Sequence, residues 1–184
     1  GLIEPEQSPP MADPGPPTQT PPFALKLELP ILTSDVDKLR GRGLRIPVAG
    51  IAQEALRDSF DENRGGRHHN AIDIMAPRGA SVVAVEDARV EKLFTSKAGG
   101  LTLYLFDARG EYCYYYAHLD RYAPGLAQGV SVRKGDLIGY VGSTGNAVPD
   151  APHLHFTIFR LGPEKRWWEG TSINAYLLWT APAP

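Results

Sequence analysis

The sequence is poor in the residues that mark several common classes of protein. Its single cysteine, Cys113, excludes an internal disulfide framework and the Cys-rich type of structural zinc site. No apolar run approaches the roughly 20 residues that a helix needs to cross a bilayer, so we expect no transmembrane segment. The 19 basic residues are scattered among 21 acidic ones, which leaves a net charge of −2. A surface that reads phosphates needs clustered lysine and arginine, so we expect no nucleic-acid partner.

Proline marks the beginning of the chain. Many of the 17 prolines lie before residue 31, and proline cannot contribute an N–H group to a ladder of hydrogen bonds. We therefore predict that residues 1–30 form an extended or disordered linker and that residues 31–184 form one folded domain. The chain begins at Gly1 without a methionine, so the lack of a visible signal peptide does not argue against export.

The rest of the sequence favours β-structure. Valine-rich and alternating runs bounded by Gly-rich turns are typical of short strands. We predict strands at residues 81–86, 88–94, 101–106, 111–119, 136–141 and 153–160, with a hairpin turn at 107–110. One short helix is predicted at 31–42, with Ser34 as its N-cap and Asp37 in a weak capping box, whereas 172–179 is ambiguous between helix and strand. This pattern indicates a mainly β domain.

Histidine is rare in the chain but concentrated. There are five histidines, and four of them, in three short segments, could build one metal site. Side chains two residues apart in a strand share a face, so His153 and His155 should project together. The same rule predicts that His118 shares a face with three tyrosines of its own strand: Tyr112, Tyr114 and Tyr116.

A carboxylate completes the chemistry of this cluster. Asp73 follows His69 by four residues, and two imidazoles with one carboxylate form a catalytic zinc set that leaves one position for water. Zinc lowers the pKa of bound water to roughly 7, which provides a nucleophile at neutral pH. The remaining histidines could then stabilise an oxyanion or move protons, as hydrolysis of an amide requires.

The three segments resemble the motifs of the LytM/lysostaphin-type zinc metallopeptidases, the M23 family. The motifs are HxxxD, here His69 to Asp73, then Tyr116-Ala117-His118-Leu119, and then His153-Leu154-His155-Phe156. The connecting stretches 73–79, 132–139 and 141–145 are also similar, and the likeness covers about residues 43–178. One departure is Ala71, where members of the family usually carry glycine. Alanine adds a single methyl group, so we expect an intact site.

The resemblance implies a role for each of five residues. His69, Asp73 and His155 would bind Zn²⁺. His118 and His153 would form the catalytic pair, which polarises or positions the water and stabilises the tetrahedral intermediate.

Two further residues lie close to these motifs in the sequence. Tyr116, beside the predicted zinc site, is a weaker candidate for substrate binding, because its hydroxyl could bind an oxyanion. His68 should face solvent, because the spacing to the carboxylate favours its neighbour as the ligand.

The resemblance also implies a fold and a substrate. The fold would be mainly β, a two-sheet, sandwich-like domain with an active-site groove over the metal. The substrate would be peptide bonds in peptidoglycan cross-links or stem peptides, cut by a monomer in the bacterial cell envelope, periplasmic or secreted. The scissile bond stays open, because the family includes enzymes that cut glycine bridges and enzymes that cut D-alanine cross-links.

Three other hypotheses stay open. A non-catalytic regulator of a cell-wall amidase could keep the fold, although members of that type generally lose zinc ligands. A non-haem iron oxygenase also uses two histidines and a carboxylate, typically spaced more closely than here. Residues 31–50 could fold over the groove as a pro-segment, which predicts that deletion of residues 1–50 raises activity.

Overall fold

The computed structural model describes residues 35–64 and 67–180, without the side chains of residues 63, 64, 67 and 68. The linker predicted at 1–30, the first residues of the predicted helix and its cap Ser34 lie outside the described residues and stay predictions. The side chain of His68, predicted to face solvent, lies outside them too.

Helices in the described part of the chain are short. Residues 35–42 form helix α1, Gln53–Ala55 forms a single 3₁₀ turn, and Tyr176–Trp179 forms helix α2. The carboxylate of Asp35 fixes α1 to the rest of the protein, because it accepts hydrogen bonds from the Tyr112 hydroxyl (2.6 Å) and the Arg160 guanidinium (3.0 Å). None of the helices found among the described residues is long and apolar enough to span a membrane.

Eleven strands are found in the described residues. They are β1 (Asn63–Arg64), β2 (Arg67–His68), β3 (Ile72–Met75), β4 (Ser81–Val83), β5 (Ala88–Ser96), β6 (Gly100–Asp107), β7 (Tyr112–Tyr122), β8 (Ser131–Val132), β9 (Leu137–Val141), β10 (His153–Leu161) and β11 (Gly170–Ile173). Every predicted strand is present, with its ends shifted by three residues or fewer, so the mainly β prediction is confirmed. The ambiguous stretch 172–179 divides into the end of β11 and helix α2.

Strands β7 and β10 form the centre of the sheet. Phe156 of β10 faces Tyr116 of β7 and also Ile72 of β3, so β7 and β3 flank β10 from opposite edges. β11 pairs with the later residues of β10, and β6, β5 and β8 continue the sheet beyond β7. As a result, the three histidine segments, which lie in or next to β3, β7 and β10, come together.

All strands except β1 and β2 belong to one antiparallel sheet of nine strands. β7 is eleven residues long, and its two halves have different partners: Tyr112 to Ala117 pair with β10, whereas Leu119 to Tyr122 pair with β9. β4 is joined to this branch through β9. The strand pairing therefore shows one branched sheet and does not show the two-sheet sandwich that the resemblance implies, because β7 bridges both sets of strands.

The two faces of β7 are buried in different clusters. The main hydrophobic core contains Tyr112, Tyr114 and Tyr116 from β7 with Leu154, Phe156 and Ile158 from β10. A smaller cluster on the opposite face contains Cys113, Tyr115 and Ala117 from β7 with Tyr104, Phe159 and Leu161. Burial on both faces accounts for the run of large aromatic side chains in this central strand.

Asp107 closes the hairpin between β6 and β7. Its carbonyl accepts a hydrogen bond from the Gly110 N–H at 3.0 Å, and its carboxylate accepts hydrogen bonds from the N–H groups of Glu111 and Tyr112. Gly110 has a φ of 66°, a conformation that favours glycine. The hairpin turn predicted at 107–110 is therefore confirmed.

Residues 35–50 are part of the core. Leu39 of α1, Leu44 and Val48 are buried in the main hydrophobic core, and Val48 forms a β-bridge with Val82. This core lies on the face of the sheet opposite to the side chains of the HxH motif. The pro-segment hypothesis is therefore wrong for the described residues 35–50, and the packed region begins before residue 43.

Candidate metal centre

The first histidine motif is folded against the loop that precedes it. His69 follows the β1–β2 hairpin, Asn70 turns the chain with a φ of 53°, and Asp73 lies in β3. The Nδ1 of His69 is 2.9 Å from the carbonyl oxygen of Ser59. A carbonyl only accepts, so Nδ1 carries the proton and Nε2 keeps its lone pair. That Nε2 is 3.1 Å from Oδ1 of Asp73.

The HxH motif lies directly opposite Asp73. His155 of β10 pairs with Asp73 of β3, and its Nδ1 is 3.4 Å from Asp73 Oδ1 and 3.1 Å from His69 Nε2. Nε2 of His153 is 3.7 Å from the same carboxylate oxygen, while Leu154 is fully buried on the other face. The prediction that His153 and His155 project together is therefore confirmed.

His118 reaches the cluster through a bulge in β7. Leu103 of β6 faces Tyr116, whereas Leu101 faces Leu119, so β7 contains one extra residue in this interval. His118 has a φ of 60°, and its ring centroid lies 5.0 Å from that of His153. The prediction that His118 shares a face with the even-numbered tyrosines is wrong, because the bulge turns its ring towards the HxH motif.

Backbone carbonyls orient both histidines of the predicted catalytic pair. His118 Nδ1 is 2.7 Å from the carbonyl oxygen of Thr144, and His153 Nδ1 is 3.0 Å from that of Ala151. In each ring Nδ1–H is therefore the donor, which leaves Nε2 as an acceptor. His118 is further held by its own N–H, which donates to the Gly99 carbonyl at 2.8 Å.

Three of these side chains could hold a metal ion. One donor atom each from His69, Asp73 and His155 lies within 4.8 Å of the others. Imidazole nitrogen and carboxylate oxygen are the ligand types of catalytic zinc sites. The hydrogen bond from His69 Nδ1 to a carbonyl is the kind of outer contact that metal-binding histidines make, so the residues fit such a group.

Burial and proximity set the protonation of the cluster. Burial by itself raises the pKa of Asp73, but the close contacts of its carboxylate with the His155 and His69 rings outweigh burial and hold that pKa well below its usual range. Burial lowers the pKa of His155 despite the nearby carboxylate. Burial, assisted by His155, lowers the pKa of His118 to about 4. At neutral pH Asp73 is therefore ionised and His155 is neutral, which are the states in which these groups bind a metal. His118, which is not one of the three residues that could hold the metal, is neutral as well.

Tyr116 is not placed to contact a substrate. Its side chain is 0% exposed, its ring packs on Phe156 in the main core, and its hydroxyl accepts a hydrogen bond from the Val85 N–H. This corrects the prediction of a substrate-binding role. Tyr115, on the other face of β7, lies beside the cluster instead, with its ring centroid 5.8 Å from that of His155.

Two residues that contact the histidines were not predicted from the sequence. The carbonyls of Ser59 and Thr144 accept hydrogen bonds from His69 and His118, but nothing in the local sequence marks a contact with a distant histidine.

Ala71, the departure from the family pattern, is buried and does not adopt a positive φ. Glycine is therefore not needed at that position, and the neighbouring His69 and Asp73 still meet at 3.1 Å.

Sequence comparison places these features in a known family. Residues 67–174, more than half of the chain, match the sequence model of peptidase family M23. Over 108 residues the chain is 32% identical to the L-Ala–D-Glu endopeptidase of Bacillus subtilis (strain 168), and the match covers 56% of this chain and 33% of that relative. Over 92 residues it is 39% identical to the DD-carboxypeptidase/endopeptidase Mpg of Neisseria meningitidis serogroup B, covering 49% and 20% respectively. The chain thus spans a third or less of the length of these relatives.

A solved structure extends the likeness to the fold. LytM of Ruminococcus gnavus ATCC 29149 is 25% identical, with a TM-score of 0.64 over 89% of this chain and 73% of that one. The family match includes all three histidine segments, and the fold brings those segments together. The chain therefore belongs to peptidase family M23.

Proposed function

We propose that the chain is a zinc-dependent endopeptidase that hydrolyses peptide bonds of bacterial peptidoglycan. The observation that carries the proposal is the convergence of His69, Asp73 and His155, beside two further imidazoles, on one side of the sheet. Membership of peptidase family M23 supports amide hydrolysis as the reaction. When bound, zinc would supply a Lewis acid that activates water and polarises the carbonyl of the scissile bond.

The proposed ligand atoms are those already directed at one another. They are Nε2 of His69, Oδ1 of Asp73 and Nδ1 of His155. Two histidines and one carboxylate leave a position for water in a tetrahedral site, as hydrolytic zinc enzymes require. The same donor set would also suit iron, so the identity of the metal is part of the test.

His118 and His153 are proposed to handle protons. Each has its Nδ1–H bonded to a backbone carbonyl, so each offers Nε2 to a molecule in the site. A neutral imidazole at this position accepts a hydrogen bond from the attacking water. Once protonated, it donates to the oxygen that gains negative charge and stabilises it.

The substrate and its location are proposed from the relatives. Two of them are named as an L-Ala–D-Glu endopeptidase and a DD-carboxypeptidase/endopeptidase. Both names refer to D-amino acids, which bacterial wall peptides contain and ribosomally made proteins do not. We therefore propose that the chain acts in the cell envelope, periplasmic or secreted. We further propose that it acts as a monomer, with the peptide lying in a groove of a sandwich-like domain over the cluster. The relatives differ in the bond that they cut, so cross-links and stem peptides both need testing.

A regulatory role for a catalytically inactive domain has less support. A regulator that only binds an amidase has no need for a metal cluster or for acceptor nitrogens beside it. Here all three ligand positions are present, and both His118 and His153 are held in place by backbone carbonyls.

Metal content and hydrolysis test the proposal together. Protein purified without chelator should contain one zinc per chain and release peptide ends from purified peptidoglycan. Chelator should abolish the release, and added zinc should restore it. His69→Ala should lose zinc and activity together, whereas the matched variant His68→Ala should keep both. No zinc after supplementation would contradict the proposal, and iron in its place would favour an oxygenase.

A further inference from the structure

Ser59 contacts two of the three proposed metal ligands, although it lies outside the residues that match the family, 67–174. Its side chain is only 2% exposed. It lies in the loop between the 3₁₀ turn and β1, a part of the chain that carries none of the histidine motifs.

The carbonyl of Ser59 determines which nitrogen of His69 is available. It accepts the Nδ1–H of His69 at 2.9 Å, so the neutral ring has its lone pair on Nε2. That nitrogen is the one directed at Asp73 and His155, at 3.1 Å from each partner atom. With the opposite tautomer, a proton would lie where the ligand lone pair is needed.

The hydroxyl of Ser59 holds the second ligand through its backbone. The N–H of Asp73 donates to Ser59 Oγ at 3.1 Å. Asp73 pairs with His155 of β10, so the sheet fixes one edge of β3. The hydrogen bond to Ser59 Oγ fixes the same residue from the side of the loop. The Cα of Asp73, and with it the direction of the carboxylate, is therefore held by two independent contacts.

The loop keeps its place by contacts that do not involve the Ser59 hydroxyl. The carbonyl of Phe60 accepts the Asn70 N–H, and the carbonyl of Glu62 accepts the His69 N–H, both at 2.9 Å. Asp58 accepts the Phe60 N–H and a hydrogen bond from the Asn174 amide. Removal of the hydroxyl should thus leave the loop, and the carbonyl contact to His69, in place.

We propose that Ser59 is a positioning residue for the metal centre: its carbonyl selects the tautomer of His69, and its hydroxyl orients Asp73. This inference rests on the proposed function, because it concerns the same metal site. It adds a residue that the three motifs do not contain. Partners of metal ligands typically change metal affinity by about 10–100-fold when they are removed.

Zinc affinity of the metal-free protein tests the inference without relying on activity. Competition with a chromophoric chelator should give a Kd for Ser59→Ala about 10–100-fold weaker than for the wild type. Ser59→Thr, which keeps the hydroxyl, should recover most of this loss. Ser172→Ala is the matched control, since its buried hydroxyl in β11 has no hydrogen-bond partner among the described residues, and its zinc Kd should stay unchanged.

Two further measurements separate positioning from folding. The thermal midpoint of the metal-free Ser59→Ala protein reports any general loss of stability. Nitrogen-15 spectra of the histidine rings should show that His69 keeps its proton on Nδ1, because the carbonyl remains. If the wild type binds zinc and Ser59→Ala binds it with the same Kd, this inference alone is overturned. Failure of the wild type to bind zinc would overturn the proposed function as well.

Discussion

His118 shows how much of the site depends on the backbone of one residue. A positive φ is uncommon outside glycine and costs on the order of 1–3 kcal/mol, so it persists only where surrounding contacts enforce it. Here those contacts are the N–H bond to Gly99 and the Nδ1 bond to Thr144. Their result is that His118 leaves the alternation of β7 and turns towards His153 and His155.

Substitution of single histidines should separate metal binding from catalysis. His155→Ala removes a proposed ligand, so bound zinc and hydrolysis should be lost together. His118→Ala and His153→Ala should keep most of the zinc but lower kcat by about 10²–10⁴-fold, the usual contribution of a group that transfers protons. Metal analysis by mass spectrometry and peptidoglycan hydrolysis on the same preparations provide the measurement. If either catalytic variant is stripped of zinc, this division of roles is wrong.

The metal-free protein should lose stability as the pH falls from 7 to 4. The pKa of His118 is lowered from 6.5 to about 4, so in this interval the unfolded chain binds more protons than the folded one. At about 1.4 kcal/mol per pKa unit, the loss from His118 is of the order of 3 kcal/mol. The lowered pKa of His155 acts in the same direction. Asp73 contributes only below its ordinary value of 3.8, where its unfolded form takes up a proton.

Urea unfolding of chelator-treated protein at several pH values measures this effect. His118→Gln removes the titrating group, so its free energy of unfolding should fall less steeply between pH 7 and 4. An identical slope in both proteins would show that His118 does not carry the proton uptake.

At the scale of elements, the connection between β9 and β10 supports the backbone of β7 around His118. Gly145 and Gly100 both have positive φ, 75° and 66°, and their backbones meet so closely that a Cβ on Gly100 would lie 2.4 Å from the Gly145 nitrogen. Only glycine fits such an approach. This contact places Thr144 against the bulge that carries His118.

Thr144 should matter for activity because its hydroxyl links β6 to β7 beside that bulge. It accepts the Leu101 N–H at 3.1 Å and donates to the Leu119 carbonyl at 2.8 Å. Thr144→Val keeps the shape but removes both bonds, so stability should fall by about 1–3 kcal/mol. The kcat should fall as His118 loses its fixed position, while zinc content stays unchanged. Thr144→Ser is the control that keeps the hydroxyl, and equal kcat values for the two variants would contradict this role.

At the scale of the whole molecule, α1 and the segment after it complete the core from the face opposite the metal centre. Leu39, Leu44 and Val48 pack there against the side chains of β7 and β10 that point away from the histidines. Asp35 bonds to Tyr112 of β7 and Arg160 of β10, so α1 also bridges the two central strands. Residues 35–50 therefore supply part of the core that covers this face of β7 and β10.

Deletion of residues 1–50 should abolish folding and should not raise activity. Loss of each buried leucine costs about 2–5 kcal/mol, and a domain has only about 5–15 kcal/mol in total. Circular dichroism and thermal melting should show an unfolded or insoluble product. Deletion of residues 1–30, the predicted linker, leaves all these contacts and the predicted cap Ser34, so that protein should melt like the full chain. A folded 51–184 fragment with raised activity would restore the pro-segment hypothesis.

Much of the fold and the site could be predicted because the relevant signals are local. Alternation along β10 placed His153 and His155 on one face, and Asp107 and Gly110 marked the hairpin between β6 and β7. Prediction failed where one residue changed the register. The single extra residue in β7 moved His118 to the other face and left Tyr116 in the core, because a bulge reverses the alternation that the prediction assumes.

The amino-acid sequence by itself determined the residue types of the candidate metal centre, the shared face of the HxH histidines, the mainly β class and the family, because these follow from residue identity and short-range periodicity. Only the tertiary structure decided that one branched sheet carries the site. It also decided that Ser59 orients His69 from ten residues away and that Thr144 orients His118 from 26 residues away. Such contacts depend on where the chain folds back on itself, and no local pattern in the sequence encodes that distance.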